Sequence, residues 1–300
     1  MIKLKYIKLI NYCGYRKFEL DLSDGNSVKK WQIIFGNNGS GKSNLIRAIN
    51  FLSSSRKFAG RSNALILRKM KYNKNYISGT EPLLEKVNDL YMEAVFITDD
   101  GEKRIIIEDK IQGQLTSANR NNKNNISGIT LNELSPDLLS VALFIDADHP
   151  MNMNKFQLPV HLKEPFIDFA ESVYGYECSL PEPSIVVDKG QEYYKDFILY
   201  KYPTGEIGNK DFMTMVHFGR FSDGEKKIAA LLVSLFENAY QKDGDNNSII
   251  IIDNIDQHIY FKRHMLLINK MDEFFPNHQI IATTHSSVIV DKMELEYYAI

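Results

Sequence analysis

The stretch Trp31–Asn50, WQIIFGNNGSGKSNLIRAIN, decides how the rest of the chain is read. Its apolar lead-in, Ile33, Ile34 and Phe35, predicts a short buried strand. The next eight residues, Gly36, Asn37, Asn38, Gly39, Ser40, Gly41, Lys42 and Ser43, match G-x-x-x-x-G-K-[ST] at every fixed position. From Ser43 to Asn50 the pattern turns helical, with Leu45, Ile46 and Ile49 on one face. Strand, glycine-rich loop and helix in that order make a phosphate cradle. The glycines let the backbone curl so that its N–H groups converge at a helix N-terminus, where an anion is stabilised. Lys42 adds a mobile cation for the β- and γ-phosphates, and the Ser43 hydroxyl is placed to ligate Mg²⁺. The stretch predicts a nucleoside triphosphate site.

Composition narrows what surrounds that site. Three hundred residues exceed one small domain and fall short of two full ones. A hydrophobic content of 44% and a charged content of 25% are ordinary for a soluble globular protein. The net charge of -2 argues against a generally polyanion-binding surface and leaves room for a local basic patch. Cys13 and Cys178 make neither a ligand cluster nor a disulfide framework. They suit a reduced, cytoplasmic setting as small buried hydrophobes. The N-terminus MIKLKYIKLINY alternates polar and apolar residues, so a strand is expected there and not a signal peptide. No apolar run approaches the length that crosses a bilayer.

Working outward, Ile2–Ile10 and Lys17–Leu22 read as strands joined by the loop Asn11–Arg16, with a polar turn at Ser23–Ser27. Tyr12 or Tyr15 in this opening serves either to stack on an adenine or as a core or surface aromatic. The basic stretch Arg56–Lys74 reads either as an anion- or nucleic-acid-facing surface or as a solvated loop and helix face. Tyr91–Thr98 and Lys103–Glu108 alternate about Thr98–Gly101 as a hairpin. Ser117–Ser127 is Asn-rich and expected to be a mobile loop. The apolar strand Ser140–Ala147 ends in Asp146-Ala147-Asp148-His149, either a metal-ligand cluster or an ordinary strand end. Glu164–Tyr174 reads as an amphipathic helix, Ser184–Asp188 and Tyr193–Lys201 as strands, and Pro203–Gly208 as a turn. There is no internal repeat, heptad run or linker. The expected class is α/β, with a nucleotide-binding core from 1–50 and 215–300 and an inserted region at 51–214.

The other half of the site lies far along the chain. Ser248–Ile252 is an apolar strand ending in Asp253, after the polar turn Lys242–Asn247. This is the form of a Walker B strand, whose carboxylate reaches Mg²⁺ through water. Before it, Phe221-Ser222-Asp223-Gly224-Glu225-Lys226-Lys227 opens a helical run from Ile228 to Tyr240. Ser222 and Gly224 there form a second phosphate-ready helix N-terminus, which suits the γ-phosphate of a neighbouring subunit. Gln279–Thr283 is a further buried strand, leading through Thr284 to His285, either a structural histidine or one placed to sense a γ-phosphate.

With these four motifs in order, the chain resembles the ABC-type ATPases of the SMC/RecF/OLD kind, soluble enzymes of DNA maintenance and anti-phage defence. The matching residues are GNNGSGKS (36–43), FSDGEKK (221–227), IIIIDNID (249–256) and ATTHS (282–286). The resemblance covers roughly residues 1–50 and 215–295. The 51–214 region lacks the long coiled coil of SMC proteins, which places the chain nearer the RecF and OLD branches. The resemblance implies an ABC-type nucleotide-binding domain with a β-rich lobe. It also implies ATP and Mg²⁺ held by residues 36–43, with Lys42 and Ser43 on phosphate and metal. Asp253 would be the Walker B acid. Ser222, Gly224 and Glu225 would belong to the signature that meets ATP on the opposite subunit, and His285 would be the switch histidine. Two ATP molecules would be sandwiched in a C2 homodimer. Gln157 is the candidate for the family's Q-loop glutamine.

One position departs from the family. A Glu that polarises the attacking water usually follows the Walker B Asp, and here that residue is Asn254. An amide orients water but cannot accept its proton. Asp256, two residues on, either replaces the base or holds the loop at the dimer interface. Ile259-Tyr260-Phe261 also stands where OLD-type relatives continue Leu-His-Pro. The resulting expectation is a slow ATPase whose ATP-bound dimer is a switch read by a separate effector, in anti-phage defence by the family resemblance. The alternatives are a RecF-like ATPase that engages DNA through Arg56–Lys74, and a non-hydrolysing scaffold stabilised by ATP.

Overall fold

The computed structural model describes residues 2–13, 15–24, 27–53, 90–99, 101–109, 142–147, 155–182, 185–188, 191–202, 213–240, 249–292 and 297–299. The chain divides into two units, one from residues 1–29 with 38–142 and the other from 30–37 with 143–300. The basic stretch Arg56–Lys74, the Asn-rich Ser117–Ser127, and the turns Pro203–Gly208 and Lys242–Asn247 lie outside the described residues.

In the first unit the N-terminal alternation becomes β1 (Lys3–Tyr12), which buries Leu4, Ile7 and Leu9. The Leu4-to-Ile7 step breaks a two-residue period, and an irregularity between Leu4 and Tyr6 in the pairing absorbs the odd residue. β2 (Tyr15–Asp21) pairs antiparallel with β1 as far as Tyr12 opposite Tyr15, so the connection is tighter than the expected Asn11–Arg16 loop. Asn11 and Cys13 make the tight turn possible with φ of 54° and 48°, the left-handed region that Asn tolerates best. β3 (Ser23–Asp24) and β4 (Ser27–Val28) form a small hairpin at the expected polar turn. After β5 (Trp31–Phe35) and the glycine-rich loop comes α1 (Lys42–Ser53), which packs on β6 (Leu90–Thr98). β6 and β7 (Gly101–Asp109) form the expected hairpin and complete a sheet of order β2-β1-β6-β7.

The second unit is built on a five-stranded sheet of order β17 (Tyr297–Ala299), β5, β16 (Gln279–Thr284), β15 (Ile249–Asp253) and β8 (Ala142–Asp146), with β17 and β8 at its two edges. β9 (Leu158–Pro159) leads into α2 (Lys163–Tyr174), and β10 (Glu177–Ser179) follows. β11 (Ile185–Asp188), β12 (Gln191–Tyr194), β13 (Ile198–Lys201) and β14 (Thr214–His217) form two small three-stranded sheets with β9 and β10. The run Tyr193–Lys201, expected as one strand, is thus two strands in different sheets. The break falls at Asp196, whose carboxylate accepts from the N–H of Phe197 (2.9 Å) and of Phe218 (3.2 Å) and meets His217 Nδ1 at 2.6 Å. That corner turns the Phe197 ring inward, 5.3–5.6 Å from the rings of Phe156, Phe166 and Phe221. Alternation alone reads through such a corner because both halves keep strand-like composition.

α3 (Asp223–Asn238), β15 (Ile249–Asp253), α4 (His264–Phe274), β16 (Gln279–Thr284), α5 (Ser287–Lys292) and β17 (Tyr297–Ala299) complete the unit. Ile145, Phe156, Phe166 and Phe169 share one hydrophobic core with Leu232, Ile250, Ile252 and Ile280. From residue 143 onward the chain shares this core with β5, β15 and β16.

Two local features make testable claims on stability. α2 ends on Gly175 at φ 73°, where an added Cβ would sit 1.8 Å from Arg263 Nη2. Arg263 is held there by its Nη1 donating to Ser172 O at 2.9 Å. Gly175→Ala should cost roughly 1–3 kcal/mol, read as a lower denaturation midpoint with an unchanged m-value. His278 is buried against the Phe275 ring, and neither of its nitrogens has a partner among the described residues. Burial, and then Lys30, push its pKa down to about 4. The folded state thus resists protonating a ring that the unfolded chain protonates near 6.5. Stability contributed by the neutral ring is complete above pH 6.5 and lost as pH falls toward 4. His278→Leu should flatten that part of the melting-temperature profile, by about 2 kcal/mol after allowing for screening.

Candidate functional site

β15, β16 and β5 run parallel, with Ile252 opposite Ala282 and Thr284 opposite Phe35. Their carboxyl ends therefore emerge along one edge of the sheet. Gly36 and Asn37 leave β5 there, Asp253 and Asn254 leave β15, and His285 leaves β16. Ile249–Ile252 and Gln279–Thr284 are buried throughout, as befits parallel strands covered on both faces. The carboxyl edge of such a sheet is where α/β proteins bind ligands.

Within the loop, Gly39 and Gly41 take φ of 80° and 104°, which only glycine adopts without strain. α1 begins directly at Lys42, with Asn44 N and Leu45 N donating to Gly41 O at 2.9 and 3.1 Å. Asn37, Asn38 and Gly39 are exposed, Gly36, Ser40 and Ser43 are half-buried, and Lys42 is only 5% exposed. No acid stands in the first turn of α1, so its positive end is uncompensated within the helix. Ser40 Oγ is buried with no partner among the described residues. A buried cation, an open helix N-terminus and an orphaned hydroxyl fit a phosphate group. Tyr12 is 1% exposed and belongs to the core, so it is no platform for adenine. The Tyr15 hydroxyl is buried where a Cβ on Gly41 would meet it at 2.8 Å, and its ring tilts on Phe18 at 5.0 Å.

At the ends of β15 and β16 two threonines hold the acids. Asp253 Oδ1 accepts from Thr283 Oγ1 at 2.5 Å, and Thr283 Oγ1 in turn accepts the Asn254 N–H at 2.8 Å. Asn254 sits at φ 57°. Asp256 Oδ1 accepts from Thr284 Oγ1 at 2.6 Å and from the His285 N–H at 3.3 Å. The His285 side chain is exposed. Behind it, His264 is buried between Ser286 Oγ and Ile259 O, both at 2.9 Å from its ring nitrogens. Sequence reading missed Thr283, Thr284 and His264. Two hydroxyls closing an otherwise apolar strand were the available signal, because buried polar groups need partners.

Ser222 caps α3, with its side chain accepting from Glu225 N and its own N–H donating to Glu225 Oε2 at 2.9 Å, a full capping box. Glu225 also pairs with Lys201. Burial opposes ionisation of Glu225, yet Lys201 and Ser222 hold its carboxyl below the usual range. Its carboxylate is thus engaged inside the fold. Gly224 faces His258, whose Cβ lies 3.4 Å from where a Gly224 Cβ would be, so the loop after β15 packs on the start of α3. Gln157 is half-buried in the segment leading into β9. Of the cluster Asp146–His149, only Asp146 and Ala147 are described, and no group of three metal-ligating side chains occurs among the described residues. Nor is any helix among them long and apolar enough to span a membrane.

Solved structures share this fold. The SMC head domain from Thermotoga maritima superposes with a TM-score of 0.55 at 19% identity, covering 96% of this chain and 91% of that one. An SMC head bound to the C-terminal winged-helix domain of ScpA gives 0.57 at 15%, with the same coverage. An Smc head with an extended coiled coil, bound to the C-terminal domain of ScpA from Pyrococcus furiosus, gives 0.52 at 12%, covering 97% and 92%. No curated protein matches the chain. The model of the RecF/RecN/SMC N-terminal domain matches residues 6–299, nearly the whole chain. The chain belongs to the RecF/RecN/SMC N-terminal domain family and has its ABC-type ATPase head fold.

Proposed function

We propose that the chain binds ATP with Mg²⁺ on Gly36–Ser43 and works as a slow, ATP-dependent dimer switch. The observation that carries this reading is the sheet edge at which parallel β5, β15 and β16 deliver the start of the phosphate loop, Asp253 and His285. The loop N–H groups and Lys42 take the phosphates. Ser43 and Asp253 would hold Mg²⁺, which neutralises developing phosphate charge. Asn254 orients water without accepting its proton, so turnover is slow. His285 senses the γ-phosphate. The two hydrogen bonds already made by Asp256 favour its role as a brace of the loop over that of a base.

In the dimer, Ser222 and Gly224 meet the triphosphate of a second copy, and Glu225 sets the start of α3 behind them. ATP then stabilises the closed dimer through its differential affinity for the two states. A separate effector reads that state, in the anti-phage setting that the resemblance to OLD-type ATPases implies. Solution mass tests the reading. Light scattering should give the monomer mass without nucleotide and twice that mass with ATP and Mg²⁺, decaying slowly as ADP forms. A monomer mass at saturating ATP would remove the two-subunit site.

A further inference from the structure

We propose that Thr283 is a positioning residue of this site, aiming the Asp253 carboxylate at the metal. The inference rests on the nucleotide reading above and adds a residue to it. Thr283 is 0% exposed at the end of β16 and spends both halves of its hydroxyl on the neighbouring strand. The O–H donates to Asp253 Oδ1 at 2.5 Å, and the oxygen accepts the Asn254 N–H at 2.8 Å. The Thr283 carbonyl accepts the Ile255 N–H at 3.0 Å, so three consecutive residues of the 253–255 turn are fastened to one threonine. The Asp253 carboxylate is thereby fixed through Oδ1, and its remaining acceptor sites would be the ones to meet a metal or its bound water.

The same bonds hold Asn254 at its left-handed φ of 57°. A backbone conformation of that kind persists only where its surroundings over-determine it. Successive strand side chains point to opposite faces. Thr284 accordingly reaches a different acid, Asp256, and takes the Ser286 N–H at 3.0 Å. Adjacent hydroxyls thus serve two acids, but only Thr283 touches the one read as the metal's partner.

The test compares ATP affinity with and without Mg²⁺, using a fluorescent ATP analogue on the full chain. Wild type should bind more tightly with Mg²⁺ than in excess EDTA. Thr283→Val keeps shape and removes the hydroxyl. It should lower the Mg²⁺-dependent affinity about 10- to 100-fold, the worth of a hydrogen bond to a charged group, and leave the EDTA affinity unchanged. Thr283→Ser should restore most of the Mg²⁺ effect. A merely structural threonine would lower the melting temperature and leave the ratio of the two affinities as in wild type, which would overturn the proposal. If the valine variant does not fold, Thr283→Ala, which leaves a small space without a methyl against Asp253, gives the same readout. Failure of wild type to bind the analogue at all would instead overturn the nucleotide reading on which this one rests.

Discussion

Lys42→Ala should lower ATP affinity at least a hundredfold and leave the nucleotide-free melting temperature within a few degrees of wild type. On the proposed reading the ammonium would serve two phosphates at once, and each hydrogen bond to a charged group is worth about 1.5–3 kcal/mol, so the loss is large. Its setting strengthens the effect. The side chain is 5% exposed, and charge–charge attraction grows as the local dielectric falls. The fold should tolerate the change, since Lys42 opens α1 and alanine is a strong helix former. Titration of a fluorescent ATP analogue and a thermal melt give both numbers. Affinity within threefold of wild type would mean that the loop is not the triphosphate site.

Asn254→Glu is expected to act in the opposite direction, raising turnover by about 10²–10⁴, the usual worth of a positioned general base. The ATP-bound dimer should become correspondingly short-lived in the light-scattering experiment. The structure adds a cost that the sequence did not show. Asn254 lies at φ 57°, a conformation Asn adopts readily and Glu does not, so the variant should lose about 1 kcal/mol of stability. That corresponds to a few degrees in melting temperature for a chain of this size. Faster turnover together with a slightly lower melting temperature is the joint signature. Wild-type hydrolysis already brisk and abolished by Asp256→Ala would sink the assignment and make Asp256 the base, despite its bonds to Thr284 and His285.

The left-handed φ also bears on why an asparagine stands at this position at all. The turn that brings the Asn254 N–H onto Thr283 Oγ1 needs a residue at ease there. Glutamate, the family's usual choice, would strain it. Backbone geometry thus favours the side chain that the proposed slow switch would also require.

Much of this protein is legible from sequence because the signals are local. The phosphate loop announces itself through glycines at fixed spacing between an apolar run and a helical period, and each needs only its neighbours to be recognised. The buried β15 and β16 are likewise continuous apolar runs, closed by Asp253 and by Thr283 and Thr284. Their parallel pairing, with Phe35 opposite Thr284, joins residues some 250 positions apart, and no local pattern encodes that register. The packing of α2 into the core of β15 is likewise not legible locally, because its apolar residues look the same whatever strand they cover. The corner at Asp196 was hidden for a similar reason: it depends on the Phe218 N–H and on His217, which come from another strand end. The two threonines show the limit most plainly. Composition places hydroxyls at the end of a buried strand, but which acid each one holds is decided by how the neighbouring strand is seated. Local chemistry is written in the order of residues, whereas partnership across strands arises only when long-range pairing repays the entropy of closing the chain.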